Sequence, residues 1–156
     1  MFKGTSASAG IGIGKAVIVE EAELVITRNE VADAEAEIQR FKGALEKTIA
    51  ATQKMADDLA SRVGEKEAEI MQGHMMLLSD PMLTGEIENS VKNDKVNCEF
   101  AIENVCNMYA DMFASMGDEL MQQRATDMRD IKVRMQRTLM GLESVDVSLL
   151  PKGSIL

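Results

Sequence analysis

The stretch from Glu65 to Leu83, EKEAEIMQGHMMLLSDPML, constrains the fold more than any other, because it runs from charge into a dense apolar cluster and then breaks on Ser-Asp-Pro. At helical spacing Ile70, His74, Leu77 and Leu78 share one side, and Met71, Met75 and Met76 widen the apolar surface beyond a single stripe. Ser79 and Asp80 offer side-chain oxygens to the free N–H groups of a following helix, and Pro81 suits its first position, where a missing N–H has no cost. Two helices are therefore expected to meet here at a sharp corner. A stripe of this kind is most often buried core. The surplus of methionine, unbranched and polarisable, equally suits a surface that packs against a partner.

The neighbouring sequence is helical on both sides. From Asn29 or Val31 onward, Ile38, Phe41, Leu45, Thr52, Met55, Leu59 and Val63 recur at steps of three and four, with a break near Thr48 and Ile49 and a C-cap at Gly64. After Pro81 a shorter helix carries Leu83, Ile87 and Val91 and stops around Asn93-Asp94-Lys95. Asn97 is a candidate N-cap for a helix whose inward side reads Ala101, Val105, Met108, Met112 and Met116, with Phe113 beside that stripe. Gly117-Asp118 closes it. Met121, Ala125, Met128, Lys132, Met135 and Leu139 then trace a last helix to Gly141, with the Lys132 stem lying along the edge. Four or five helices with short loops pack most simply as an antiparallel bundle.

Both ends have a different texture. Between Gly4 and Ile26, Gly10, Gly12 and Gly14 alternate with isoleucine before AVIVEEAELVI, which reads as one or two strands. A dinucleotide loop needs a strand before its glycines and a helix after them; the order here is reversed. VDVSLLPKGSIL, after Gly141, reads as a Pro-Lys-Gly turn leading into another strand. A helical unit inserted into a small α/β domain fits this order, and the chain then stops where the rest of that domain would follow, as a fragment of something longer.

Composition narrows the function. Hydrophobic residues at 46% and charged residues at 28% support a packed core. A formal charge of -9, from 26 acidic against 17 basic residues, disfavours nucleic acid and anionic membrane and favours a basic partner. No apolar run has the length of a membrane span and no signal core opens the chain, so a cytoplasmic location is expected. Cys98 and Cys106 lack metal or redox spacing and read as reduced helix residues.

Three segments together, GIGIGKAV, EAEIMQGHMMLLSDPML and RATDMRDIKVRMQRTLMG, resemble in order and spacing the N-terminal region of the Enzyme I family of the bacterial phosphoenolpyruvate-dependent sugar phosphotransferase system. The resemblance covers nearly the whole chain. It implies a mainly α fold, in which a helical subdomain at 29–142 binds the carrier protein HPr. That subdomain is inserted in a swivelling α/β subdomain, here incomplete, that begins at 1–28 and resumes at 143–156. It further implies transferase chemistry, in which a histidine takes the phosphoryl group from phosphoenolpyruvate and passes it to HPr for sugar uptake. Magnesium and phosphoenolpyruvate would bind a C-terminal barrel, through which the full-length enzyme would form a homodimer.

The family's phosphohistidine motif G-G-x-T-S-H and the barrel do not occur in these 156 residues, so no catalytic residue and no metal ligand is expected here, and the fragment alone should be inactive. Carried over by position, the resemblance implies that HPr docks on Met76, Leu77, Asp80, Met82 and Leu83, with Phe113 and Met121 adding apolar surface and His74, the only histidine, ranking as a possible contact. Relatives tend to place an acidic residue where Met82 stands, which bears on part of the ion pairing with HPr. Arg124 matches a position near the active site, where it would steady a phosphoryl group. Its structural alternative is a pair with Asp127 or Glu119. Arg129 and Asp130 read best as a solvated helix face or a fixing contact. A reading from a different class is a free-standing helical adaptor whose Met-rich groove binds amphipathic helices.

Overall fold

A computed structural model describes residues 13–18, 23–142 and 153–155. Packing divides the chain into two units, one at 24–143 and one formed by the ends, 1–23 with 144–156. In the terminal unit, β1 (Lys15–Ala16) pairs in parallel with β2 (Ser154–Ile155), Lys15 opposite Ser154 and Ala16 opposite Ile155. The expected strand at the C-terminal end is thus present in part. Gly10, Gly12 and VDVSLLP lie outside the described residues.

The larger unit holds five helices: α1 (Ala34–Arg62), α2 (Glu65–Leu78), α3 (Pro81–Asp94), α4 (Cys98–Ser115) and α5 (Glu119–Leu139). α1 lies mainly along α2 and α5, while α4 packs on α5 and α3. Local chemistry sets the ends. Asp33 caps α1 by accepting from the N–H groups of Glu35 and Ala36 at 3.1 and 3.0 Å. Gly64, with φ of 152°, takes a backbone conformation that side chains disfavour and turns the chain from α1 into α2. Asp118 caps α5 through the N–H of Leu120, and past its end the Leu142 N–H returns to the Arg137 carbonyl at 2.9 Å, with Gly141 at φ of 67° making that reversal possible.

The segment at 23–33 carries no regular strand or helix, though strand was expected as far as Ile26 and helix from Asn29 or Val31, and 19–22 lie outside the described residues. It is fixed instead to the loop between α3 and α4: the Val31 N–H donates to the Lys95 carbonyl at 2.9 Å and the Asn97 N–H to the Asn29 carbonyl at 3.0 Å. This also changes the part played by Asn97. Its Oδ1 accepts from the Asn29 N–H at 2.9 Å, and the free Cys98 N–H of α4 is satisfied by Glu37 of α1 at 2.8 Å. Glu37 and Glu99 both hold the Arg40 guanidinium, at 2.6 and 2.8 Å. The bond from Arg40 holds the Glu37 carboxyl below its usual value. For Glu99, burial pushes the other way, and the hydrogen bonds from Arg40, its own backbone and Asn97 outweigh it.

The core joins Ile38 and Phe41 of α1, Leu78 of α2, Leu83, Ile87 and Val91 of α3, Ala101, Ile102 and Ala110 of α4, and Ala125, Met128, Ile131 and Met135 of α5. Several expectations about helix faces need correction, and of the expected α1 stripe Met55 and Val63 face water. Thr48 does not interrupt the α1 stripe but lies on it, because its hydroxyl donates to the Ala44 carbonyl at 2.8 Å and so carries no unmet polar group inward. In α2 the inward side is Ala68, Met71, His74 and Leu78, while Ile70 faces water. In α4 the inward side is Cys98, Ala101, Ile102, Val105, Cys106 and Ala110, and Met108, Met112 and Met116 are exposed. Small residues let α4 approach its neighbours closely; the long methionines are left outside. Both cysteines are free and buried, and burial pushes the Cys106 thiol up to about 12. The α5 stripe is as expected, with Lys132 at its edge donating to Glu103 and Asn107 at 2.9 Å each.

Candidate functional site

The corner between α2 and α3 is built by backbone bonds from both sides. The Ser79 N–H donates back to the Met75 carbonyl at 3.0 Å and the Asp80 N–H to the Leu77 carbonyl at 3.2 Å, which ends α2. Asp80 Oδ1 then accepts the Met82 N–H at 2.8 Å, with Pro81 in the first helical position, and its carbonyl receives the Thr84 N–H at 3.1 Å. Only two residues separate the helices. Their meeting angle is therefore set by capping, and the side chains flanking the turn are displayed from rigid backbone.

Exposure sorts the residues named from the sequence. Met76 at 70% and Met82 at 66% stand out from the corner on either side of it. Leu77, Asp80, Phe113, Met121 and Arg124 are half-buried, each with an open face. Leu83 is 2% exposed and His74 2%, so neither offers a surface to a partner. Leu83 sits one position beyond Met82, about 100° further round α3, and is buried in the core beneath the corner. Phe113 meets Tyr109 ring to ring at 6.3 Å. Burial, then the charges of Glu86 and Asp80, pushes the Tyr109 phenol up. Exposed Met112, Met116 and Leu120 are further candidate surface that the sequence reading had turned inward or left out. The available signal was the excess of apolar residues in α4 over what one face can bury.

A shallow cleft of about 230 Å³ lies between α2 and α5, lined by Lys66, Glu69, Ile70, Gly73, Leu120, Gln123, Arg124 and Asp127. Arg124 Nη1 rests 3.5 Å from the point where a Cβ on Gly73 would stand, so the guanidinium lies against α2 where α2 has no side chain. Neither expected structural partner holds it. Among the described residues Arg124 makes no hydrogen bond or ion pair, and the Asp127 carboxylate is taken by His74 Nε2 at 3.3 Å. Arg129 reaches Asp111 at 3.8 Å on an exposed face. Among the described residues no group of three or more His, Cys, Asp or Glu side chains is arranged to hold a metal ion, and no helix is long and apolar enough to cross a membrane.

Residues 3–124 match the family described as PEP-utilising enzyme, N-terminal. The chain is 38% identical over 149 residues to the phosphoenolpyruvate-protein phosphotransferase of Listeria monocytogenes, a match covering 96% of this chain and 26% of that protein. It is 35% identical over 155 residues to the Bacillus subtilis protein of the same name, covering 99% of this chain and 27% of the relative. A solution NMR structure of an Enzyme I protein (nEIt) superposes with a TM-score of 0.91 at 34% identity, over 99% of this chain and 63% of that one. The chain thus spans about a quarter of the length of the curated relatives it matches.

Proposed function

The chain belongs to the family of PEP-utilising enzyme N-terminal regions, and on that premise we propose that its helical unit is the carrier-docking part of a phosphoenolpyruvate-protein phosphotransferase that passes a phosphoryl group to HPr. The observation that carries this reading is the exposure of Met76 and Met82 on a corner whose backbone is locked by Asp80 and Pro81. Apolar anchors at the centre, with Leu77, Phe113 and Met121 half-open beside them, suit an apolar patch on the carrier. Asp80, Glu86 and the overall charge of -9 suit a basic rim around that patch.

In such an enzyme a histidine nucleophile takes the phosphoryl group from phosphoenolpyruvate and a histidine of HPr receives it, so the docking unit contributes orientation. His74, buried and bonded to Asp127, is not placed to serve as that nucleophile. Arg124, half-exposed and free of ion pairs, supports a role next to the phosphoryl group in transit. The described residues supply no donor set for magnesium, and no step here is assigned to it. The adaptor reading draws on the exposed Met108, Met112 and Met116 strip of α4.

Titration with HPr, followed by backbone amide shifts, tests the proposal. Shifts centred on residues 76–82 with smaller ones at Phe113 and Met121, weakening as salt is raised, are expected. No binding, or shifts confined to the α4 strip, would decide for the adaptor.

A further inference from the structure

Arg124 and Asp127 are three residues apart on α5, a spacing at which opposite charges on a helix ordinarily pair. They do not pair here. The other arginines and lysines of α5 are all engaged: Arg129 with Asp111, Lys132 with Glu103, Arg134 with Thr52, and Arg137 with a partner of its own. Arg124 is the exception among the described residues, although Glu69 and Asp127 line the same cleft. What distinguishes it is that its natural competitor is occupied from below by His74 Nε2, at 3.3 Å and with the imidazole 2% exposed.

That arrangement is costly on its own terms. Among the described residues His74 Nδ1 is buried with no hydrogen-bond partner, and an unmet buried polar atom is destabilising. With the proton on Nε2, the ring donates to Asp127 and leaves only a bare lone pair on Nδ1, the tautomer the hydrogen-bond geometry selects. An apolar side chain would fill the same space without that cost, so the imidazole has a use other than packing.

We propose that His74 is a positioning residue: by holding Asp127 through Nε2 it keeps that carboxylate off Arg124, leaving the guanidinium against Gly73 free to take a phosphate-bearing group in the cleft between α2 and α5. The inference rests on the reading that a phosphoryl group passes this face, and adds what keeps its arginine available. Gly73 belongs to the same device. The guanidinium is located by lying against bare helix backbone, with no carboxylate needed to locate it.

The test is the reactivity of Arg124 toward phenylglyoxal, which attacks unpaired guanidinium groups, with the modified residue located by mass spectrometry and the fold followed by circular dichroism. In the wild-type chain Arg124 should react readily, and millimolar inorganic phosphate should protect it. His74→Leu releases Asp127 onto Arg124, so modification should slow about three- to tenfold and phosphate protection should fade. His74→Gln, which keeps a donor near the Nε2 position, should behave as wild type, and His74→Leu with Asp127→Asn should regain the wild-type rate. If His74→Leu does not fold, His74→Phe, closer in shape to the imidazole, carries the same comparison. Unchanged reactivity in a folded His74→Leu or His74→Phe chain, or no recovery on adding Asp127→Asn, overturns the inference. The readout needs no HPr, so this failure is distinct from a failure of docking.

Discussion

Met82 and Leu83 are adjacent in sequence, yet truncating each to alanine should produce opposite results. Leu83 is 2% exposed and packs with Ile87, Leu78 and the α4 residues, so Leu83→Ala removes three carbons from a closed core. Such substitutions cost 2–5 kcal/mol; the middle of that range, about 3 kcal/mol, lowers the melting temperature by roughly 10 °C in a unit of this size. Held well below its melting point, the variant keeps its corner, because Asp80 and Pro81 cap α3 without Leu83. HPr affinity should then change less than about threefold, as expected for a residue that only supports an interface. Met82, 66% exposed, has little to lose on folding, so Met82→Ala should shift stability by less than about 0.5 kcal/mol. As a central apolar anchor, however, it should weaken docking by about 1–2 kcal/mol, roughly five- to thirtyfold in Kd. Urea unfolding followed by circular dichroism supplies the first quantity and calorimetric titration the second. If Leu83→Ala weakened docking with its stability intact, or Met82→Ala destabilised the fold and left docking unchanged, the assignment of the two faces of α3 would be wrong.

Two further outcomes concern an ion-pair cluster and a strained turn. Glu37 and Glu99 have carboxyl groups held below the ordinary value of 4.5, chiefly through Arg40 against the opposing effect of burial, so the stability they add is complete above 4.5 and drains away as pH falls through their lowered folded values; Arg40→Met should lower stability at neutral pH and flatten the acid limb of a melting-temperature profile, and an unchanged limb would refute the assignment. Lys95 adopts φ of 49° and ψ of 44° after α3, a left-handed conformation that strains a side-chain-bearing residue, so Lys95→Gly should raise the urea midpoint by the equivalent of about 0.5–1 kcal/mol at constant slope.

How much of this was legible in advance depended on the kind of information each feature carries. Helix ends were readable because capping is local: Asp80-Pro81, Gly117-Asp118 and Gly141 each announce themselves within three residues, and each does what its chemistry suggests. The phase of α5 was readable because its inward stripe, Ala125, Met128 and Met135, contrasts with mostly polar residues on the opposite side. Contacts between distant residues were not. Glu37 caps a helix that begins 61 residues later, and His74 meets Asp127 across 53 residues, pairings that no spacing rule contains.

The misphasing of α4 has a different origin, and it bears on function. Periodicity locates a helix but assigns an inward side only when one side is polar. Met108 lies two turns beyond Ala101 and Met112 two turns beyond Val105, so all four continue one stripe, and what separates the buried residues from the exposed ones is position along α4. α4 is packed against both α3 and α5, which favours alanine, cysteine and valine at the contacts and pushes the long, flexible side chains out. Along α2, Ala68 and Met71 go inward and Ile70 and Met76 go out. A helix whose apolar stripe runs further than its neighbours cover leaves part of that stripe open to water, and periodicity alone does not say which part. An apolar stripe that outruns its cover is a candidate docking surface, and amide shifts at the corner or along α4 would tell which of the two a partner uses.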